Sequence, residues 1–316
     1  AGGSDVIDTN NALGGVKGID FNIVGTPTCY NTFPGTVMTR CLIGDAGGQL
    51  WHLRFSGSNA NDWKLHFFHD AYNIKEGEPT QALTSANRRP IWEAPAVALH
   101  PDGGRLVVAY HTSQVDDLRR LNTLPPRSIS VLEDMILDDD GRLQEIKATT
   151  NWVKYYTEAE GIPTGPPLIY DRSVYQTSYV NDSTDMCLVG EGLLWGHHYL
   201  GDDGTSINDV RASIDADGDP STPEKAAAVS LGEGVPYGVQ ILSRPSCAGD
   251  SGISADSSLD QVGPSKLELV IQTTGGAFTD DQLPASGDAP TITRVTKELQ
   301  QIGSRVFLNS WGNLLE

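Results

Sequence analysis

Apolar residues in this chain come in short runs broken by Gly, Asp and Asn, and few of them keep a helical period. RLVVAYHT (105–112), RSVYQTSYV (172–180) and KLELVIQTT (266–274) are rich in β-branched and aromatic residues and predict strands. GDAGGQLWHLRFSG (44–57), preceded by RCLI, reads as strand, Asp-Ala-Gly-Gly turn, strand and turn, and DWKLHFF continues as a further strand. LDDDGRL (137–143) predicts a hairpin, because Asp-Gly between strand-forming runs suits a tight turn. Helical spacing is confined to two stretches. Around 290–301, Val295, Leu299 and Ile302 fall roughly on one face, and SQVDDLRRL (113–121) is a second candidate.

Four segments repeat a pattern: GIDFNIVGTP from Gly18, PIWEAPAVALH from Pro90, GIPTGPPLIYD from Gly161 and GVPYGVQILS from Gly234. Aligned on the residue after the leading Gly or Pro, they start at Ile19, Ile91, Ile162 and Val235, at intervals of 72, 71 and 73 residues. Each places small residues shortly after its start and an apolar pair beyond. Small residues suit strands that converge on a narrow centre, while outer strands carry bulkier side chains. The expected fold is therefore all-β and β-propeller-like, with a repeat spacing of about 72 residues and an open blade count. That spacing exceeds the roughly 40–50 residues of a four-stranded blade. Either each unit carries long insertions, or a divergent blade lies between recognisable ones. The competing reading is Pro-rich strands of a β-sandwich.

Charge narrows the partners. The chain has 316 residues, 22 Lys and Arg against 41 Asp and Glu, and a formal net charge of −19. Such a surface repels phosphate backbones, which argues against nucleic acid and in favour of divalent cations. No run of eighteen apolar residues occurs, so no helical membrane span is expected. The opening AGGSDVIDTN has neither the basic nor the apolar stretch of a signal peptide, and is expected to begin a mature or truncated form of a longer protein. Cys29, Cys41, Cys187 and Cys247 form no CxxC pair and have no histidine at zinc spacing. Cys29 and Cys41 flank a short loop and are expected to close it, leaving Cys187 and Cys247 for a longer bridge. An even count without a metal pattern points to an oxidising compartment.

Candidate chemistry concentrates in SIDADGDPSTPE (213–224). Asp215, Asp217 and Asp219 alternate around Gly218, Ser221 offers a further oxygen, and Glu224 offers a closing carboxylate near the positions a calcium loop uses. Two readings stand: a calcium site made by Asp215, Asp217, Asp219, Ser221 and Glu224, or a solvated acidic turn. GDSG (249–252) lacks the upstream histidine setting of a serine protease and reads as a loop. His66 and His69, three apart on a strand, are expected on opposite faces, and the histidines as a group read as surface or edge residues. No glycine-rich phosphate loop precedes a helix. Trp51, Trp63, Trp92, Trp152, Trp195 and Trp311 are scattered as packing residues would be. No catalytic residue emerges.

GDAGGQLWHLRFSG resembles the GDxxGNLWRFDLSG segment of the PilY family, proteins of the type IV pilus tip and of pilus biogenesis. In the same order, IWEAPAVALHPDGGRLVVAYHT resembles the family's PITAAPAVA stretch, and EGIPTGPPLIYDRSVYQTSY resembles GERVTGPPLVYDGVVYFTTY. The ending SRVFLNSWGNLLE resembles the family's terminal RISWREL. The chain departs from the pattern at Tyr110-His111-Thr112, where the family has Gly-Thr-Gly. It departs again before the GDxxGxLW turn, where CYNTFPGTVMTRC replaces an acidic calcium stretch. The resemblance implies a lead-in segment (1–17) and a PilY-type propeller-like domain (18–316). It also implies a non-enzymatic extracellular binding module, secreted through the periplasm to the cell surface and pilus tip. There it would act in adhesion, pilus assembly and twitching-type motility, with minor pilins as partners and an unidentified surface ligand. A quinoprotein-like dehydrogenase and a structural propeller of another surface or secretion complex are the competing expectations.

Overall fold

A computed structural model describes residues 6–7, 21–31, 37–55, 59, 63–72, 84, 87–101, 104–113, 124–137, 140, 143–170, 172–181, 190–201, 228–244, 266–274 and 297–298. The described residues form four sheets that follow one another along the chain. The first contains β2 (Thr28–Tyr30), β3 (Arg40–Gly44), β4 (Gln49–Arg54) and β5 (Lys64–Asp70) as an antiparallel meander, with β1 (Val6–Ile7) added in parallel outside β5. The second is the meander β6 (Ala96–Leu99), β7 (Leu106–Thr112), β8 (Arg127–Leu137) and β9 (Leu143–Tyr155). The third is β10 (Ile162–Tyr170), β11 (Ser173–Val180), β12 (Glu191–His198) and β13 (Ala228–Glu233). The fourth joins β14 (Val235–Arg244), β15 (Lys266–Thr274) and β16 (Lys297–Glu298).

The repeat found in the sequence is thus one sheet per unit, with the extra length held between strands. Segments predicted as strands at 105–112, 172–180 and 266–274 are β7, β11 and β15. The Asp-Ala-Gly-Gly turn joins β3 to β4, and β8 and β9, which flank Asp140, pair antiparallel down to Leu137 and Leu143. Cys29 and Cys41 are directly opposed on β2 and β3 and form a disulfide. Cys187 and Cys247 lie outside the described residues. One helix expectation is corrected in part. Lys297 and Glu298 pair with Leu269 and Glu268 as a strand, because the edge of β15 offers backbone partners that outweigh a short helical pattern. The other residues of that stretch, and 114–121, lie outside the described residues.

Sheet faces explain the apolar pattern. Along β7, Val108 and Tyr110 enter a core shared with Leu42, Leu50 and Phe68 of the first sheet, while Val107 and Ala109 turn the other way, toward Val174 and Tyr199 of the third. Successive residues of a strand point to opposite faces, so a strand covered on both sides reads as a continuous apolar run, as LVVAY does. A third core joins Tyr175, Leu194 and Leu231 to Val239 and Ile271 of the fourth sheet. Every neighbouring pair of sheets therefore has its own apolar layer, and each fully buried Val or Leu in it contributes about 1.5–3 kcal/mol.

The small residues of the repeat sit where leading segments meet. The Thr26 amide donates to the Trp92 carbonyl (2.9 Å) and the Thr28 hydroxyl to the Pro95 carbonyl (2.6 Å). Gly165 lies so close to β14 that a Cβ there would stand 2.1 Å from the Gly238 nitrogen. The Gly238 amide donates to Thr177 Oγ1 (3.2 Å), and the Tyr237 hydroxyl reaches the Glu93 carboxylate (3.3 Å), bringing the second and fourth sheets together.

Candidate functional site

Asp215, Asp217, Asp219, Ser221 and Glu224 lie outside the described residues, as does GDSG at 249–252. Their place in the chain is nonetheless defined: residues 202–227 connect β12 to β13, which pair through Trp195 and Ala228. Among the described residues no group of three or more His, Cys, Asp or Glu is arranged to hold a metal ion.

The GDAGGQLW turn is built around one buried carboxylate. Asp45 Oδ1 accepts the amides of Gly47 and Gln49 (both 2.8 Å), and Oδ2 accepts the Trp51 indole N–H (2.9 Å). Gly48 has φ of +81° beside the Tyr72 ring, a conformation and a fit that glycine allows. Burial pushes the Asp45 carboxyl above its usual range, and the three hydrogen bonds to the anion work against that rise. With both oxygens committed to the turn, Asp45 is an anchor. Asp45→Ala would leave two backbone amides and an indole N–H buried without an acceptor. We expect a loss of about 3–4 kcal/mol, read from urea denaturation followed by tryptophan fluorescence; a loss under about 1 kcal/mol would contradict this role.

Next to the turn lies a buried ionic and aromatic stack. Asp70 accepts from the Tyr72 amide (2.8 Å) and pairs with Arg88 (3.2 Å), whose guanidinium also donates to the Gly47 carbonyl. Arg88 lies 5.7 Å from the Phe21 ring and 5.6 Å from the Tyr72 ring, while Arg127 covers Tyr72 at 4.2 Å and Tyr155 at 5.0 Å. Cation–π contacts of this kind gain when they are desolvated. They bind the first two sheets together.

The histidines differ from the sequence expectation. His52, His66, His69, His111 and His197 are buried. A bulge between Leu50 and Trp51 breaks the alternation of β5. His66 stands 6.2 Å from His52, and His69 bonds Tyr110 (2.5 Å) and Thr150 (2.8 Å) of the second sheet. His111 Nε2 meets the Gly165 carbonyl (2.8 Å). His197 stacks on Trp195 at 6.0 Å and meets the edge of Trp152 at 5.5 Å, and neither of its ring nitrogens has a hydrogen-bond partner among the described residues. Desolvation lowers the pKa of His52 and His197 to about 3 and of His69 and His111 to about 4. Neutral and enclosed, they serve packing.

What the described surface does offer is apolar area at one end of the first two sheets. Val37 is 82% exposed, Met38 60%, Trp63 49% and Leu99 69%. Val37 and Met38 lead into β3, Trp63 leads into β5 against Phe55 (4.9 Å between rings), and Leu99 ends β6. Sequence reading assigned Trp63 to packing. The signal it passed over was Val37-Met38 inside the span closed by the Cys29–Cys41 disulfide, where a core had no need of them.

No protein-family model matches the chain, and no curated protein matches it. Among solved structures, the crystal structure of the Pseudomonas aeruginosa PilY1 C-terminal domain is similar at 12% identity and a TM-score of 0.43. The match covers 78% of this chain and 58% of that one, so the chain spans less than two thirds of that structure's length.

Proposed function

We propose that this chain is a non-enzymatic, extracellular binding module of the PilY type, with its four sheets arranged as the blades of a propeller-like domain. It works at the tip of a type IV pilus, reached through the periplasm, in adhesion, pilus assembly and twitching-type motility, with minor pilins as partners. The observation that carries the reading is the coincidence of motif and fold. GDAGGQLWHLRF forms the β3–β4 turn and β4, the second hairpin of its meander, while IWEAPAVALHPDGGRLVVAYHT contains β6–β7 and GIPTGPPLIYDRSVYQTSY contains β10–β11, the first hairpins of theirs. The disulfide fits an oxidising compartment. Deleting the gene in its own cell is expected to abolish twitching and to reduce sheared surface pili several-fold, both restored by complementation. Unchanged piliation and motility would sink the reading.

Calcium belongs to the proposal as a modulator, held by Asp215, Asp217, Asp219, Ser221 and Glu224 between β12 and β13. Three carboxylates in five residues repel one another until a cation neutralises them. At a calcium concentration of 100 Kd the folded state gains about 2.7 kcal/mol. Millimolar calcium is therefore expected to raise Tm by about 3–6 °C and to slow proteolysis between 201 and 228, with both effects lost in the D217N/D219N double variant. Equal Tm and equal cleavage with calcium and with chelator would remove calcium and leave the binding module standing.

A further inference from the structure

A row of cations crosses the first sheet in register. Arg40 on β3 is opposite Arg54 on β4, and Arg54 is opposite Lys64 on β5. Directly opposed residues project to the same side of a sheet with Cβ atoms about 4.5–5.5 Å apart, and like charges so placed are destabilising. In a chain of net charge −19, three adjacent cations are a conspicuous local reversal. At one end of the row Arg40 meets Glu133 of β8 at 3.7 Å. Among the described residues Arg54 and Lys64 meet no carboxylate.

Apolar residues border the same row. Val37 and Met38 precede Arg40, Phe55 follows Arg54, and Trp63 precedes Lys64. The Phe55 amide donates to the Thr39 carbonyl (2.7 Å) and the Thr39 amide to the Tyr30 carbonyl (3.3 Å), so the segment carrying Val37 and Met38 is tied to the strand ends beside the cations. The Cys29–Cys41 disulfide fixes β2 to β3 just behind it. Arg40 is paired and mostly enclosed, so the row offers two half-buried cations, Arg54 and Lys64, that meet no carboxylate among the described residues, beside an exposed apolar lip on a cross-linked sheet.

We propose that this end of the first sheet is a docking site for an acidic polypeptide segment that carries apolar side chains among its carboxylates. Charge complementarity selects the carboxylates: the row is cationic where the chain as a whole is anionic. Val37, Met38 and Trp63 select polypeptide over a sulfated glycan, because they present aliphatic and aromatic area that a string of sulfates does not cover. The proposal takes from the function above only that the chain is a binding module, and it is independent of whether pili are involved.

Fluorescence anisotropy with the whole chain and a fluorescein-labelled peptide of four Glu-Leu repeats tests it. Binding is expected in the range of about 10–100 μM at low salt, weakening steeply as salt screens the row. Arg54→Glu should weaken binding at least tenfold. The same variant should raise Tm by about 1–3 °C, since it turns two like-charge pairs into opposite ones. A gain in stability with a loss of binding separates a docking role from misfolding. V37S/M38S should weaken the same peptide severalfold without changing its salt dependence. Four results would overturn the proposal: no binding of the Glu-Leu peptide at 1 mM; binding unchanged by Arg54→Glu; a Glu-Ser peptide or a sulfated heparin hexasaccharide binding as tightly as the Glu-Leu peptide; or sedimentation showing self-association that Arg54→Glu abolishes, which would assign the surface to a second copy of the chain.

Discussion

Between pH 8 and pH 5 the folded protein is expected to lose several kcal/mol of stability, with Tm falling by roughly 10–20 °C. The cause is four enclosed imidazoles. His52, His69, His111 and His197 have folded pKa values of about 3, 4, 4 and 3, all lowered chiefly by desolvation. In the unfolded chain each returns to about 6.5. A histidine whose folded pKa is depressed binds its proton first in the unfolded state. Its contribution to stability is therefore complete above about pH 6.5 and is lost as pH falls toward the folded value. At pH 5 each such group costs about 2 kcal/mol relative to pH 8, and the four together about 8 kcal/mol.

Three carboxyls work in the opposite direction. Asp45, Glu93 and Glu133 have folded pKa values raised by burial, so they take up protons more readily in the folded state and stabilise it as pH falls. Lower pH also relieves part of the net charge of −19. These terms reduce the loss without cancelling it, because the histidines titrate first in the unfolded chain. Thermal melts at half-unit pH steps would show the steepest fall between pH 6.5 and pH 4.5. His197→Phe keeps the ring stacked on Trp195 and is expected to flatten the profile by about one proton. A Tm constant to within about 3 °C from pH 8 to pH 5 would show that these rings reach solvent in the folded state.

The second large effect is steric. Gly165→Ala is expected to cost about 5 kcal/mol, enough to separate the third and fourth sheets. The backbone there has φ of +70°, and an added Cβ would lie 2.1 Å from the Gly238 nitrogen and 2.7 Å from its Cα. Side-chain rotation cannot relieve a clash between two main chains. Gly104→Ala is the control: φ is +97° with nothing within 4 Å of the added carbon, so only conformational strain of about 1–2 kcal/mol applies. Chemical denaturation of both variants measures the difference. Equal losses at the two positions would mean that β10 and β14 are not in main-chain contact.

This contact is also where the sequence was most legible. The recurrence from Ile19 to Val235 marked the leading segments, and the glycines and prolines within it are small for the reason the geometry gives: the main chains meet there. RLVVAYHT announced a strand through its composition, and the packing of both its faces is seen in the fold. The faces of His66 and His69 were misread because strand alternation presumes a regular ladder, and the bulge at Leu50/Trp51 cannot be seen in KLHFFHD. The cationic row was invisible for a related reason. Arg40, Arg54 and Lys64 are separated in the chain by turns and loops, so only the strand register makes them neighbours.

The arrangement at the beginning of the chain governs how the first sheet answers a mechanical load. Val6–Ile7 holds to β5 by two rungs only, at Leu65 and His66, so under tension applied at the chain start this short strand peels away before the four-stranded meander shears. Extension then runs into the covalent link between Cys29 and Cys41, which withholds twelve residues, about 40 Å of contour length, from the stretched chain. The cross-linked edge behind the cationic row thus keeps its shape after β1 has parted from β5.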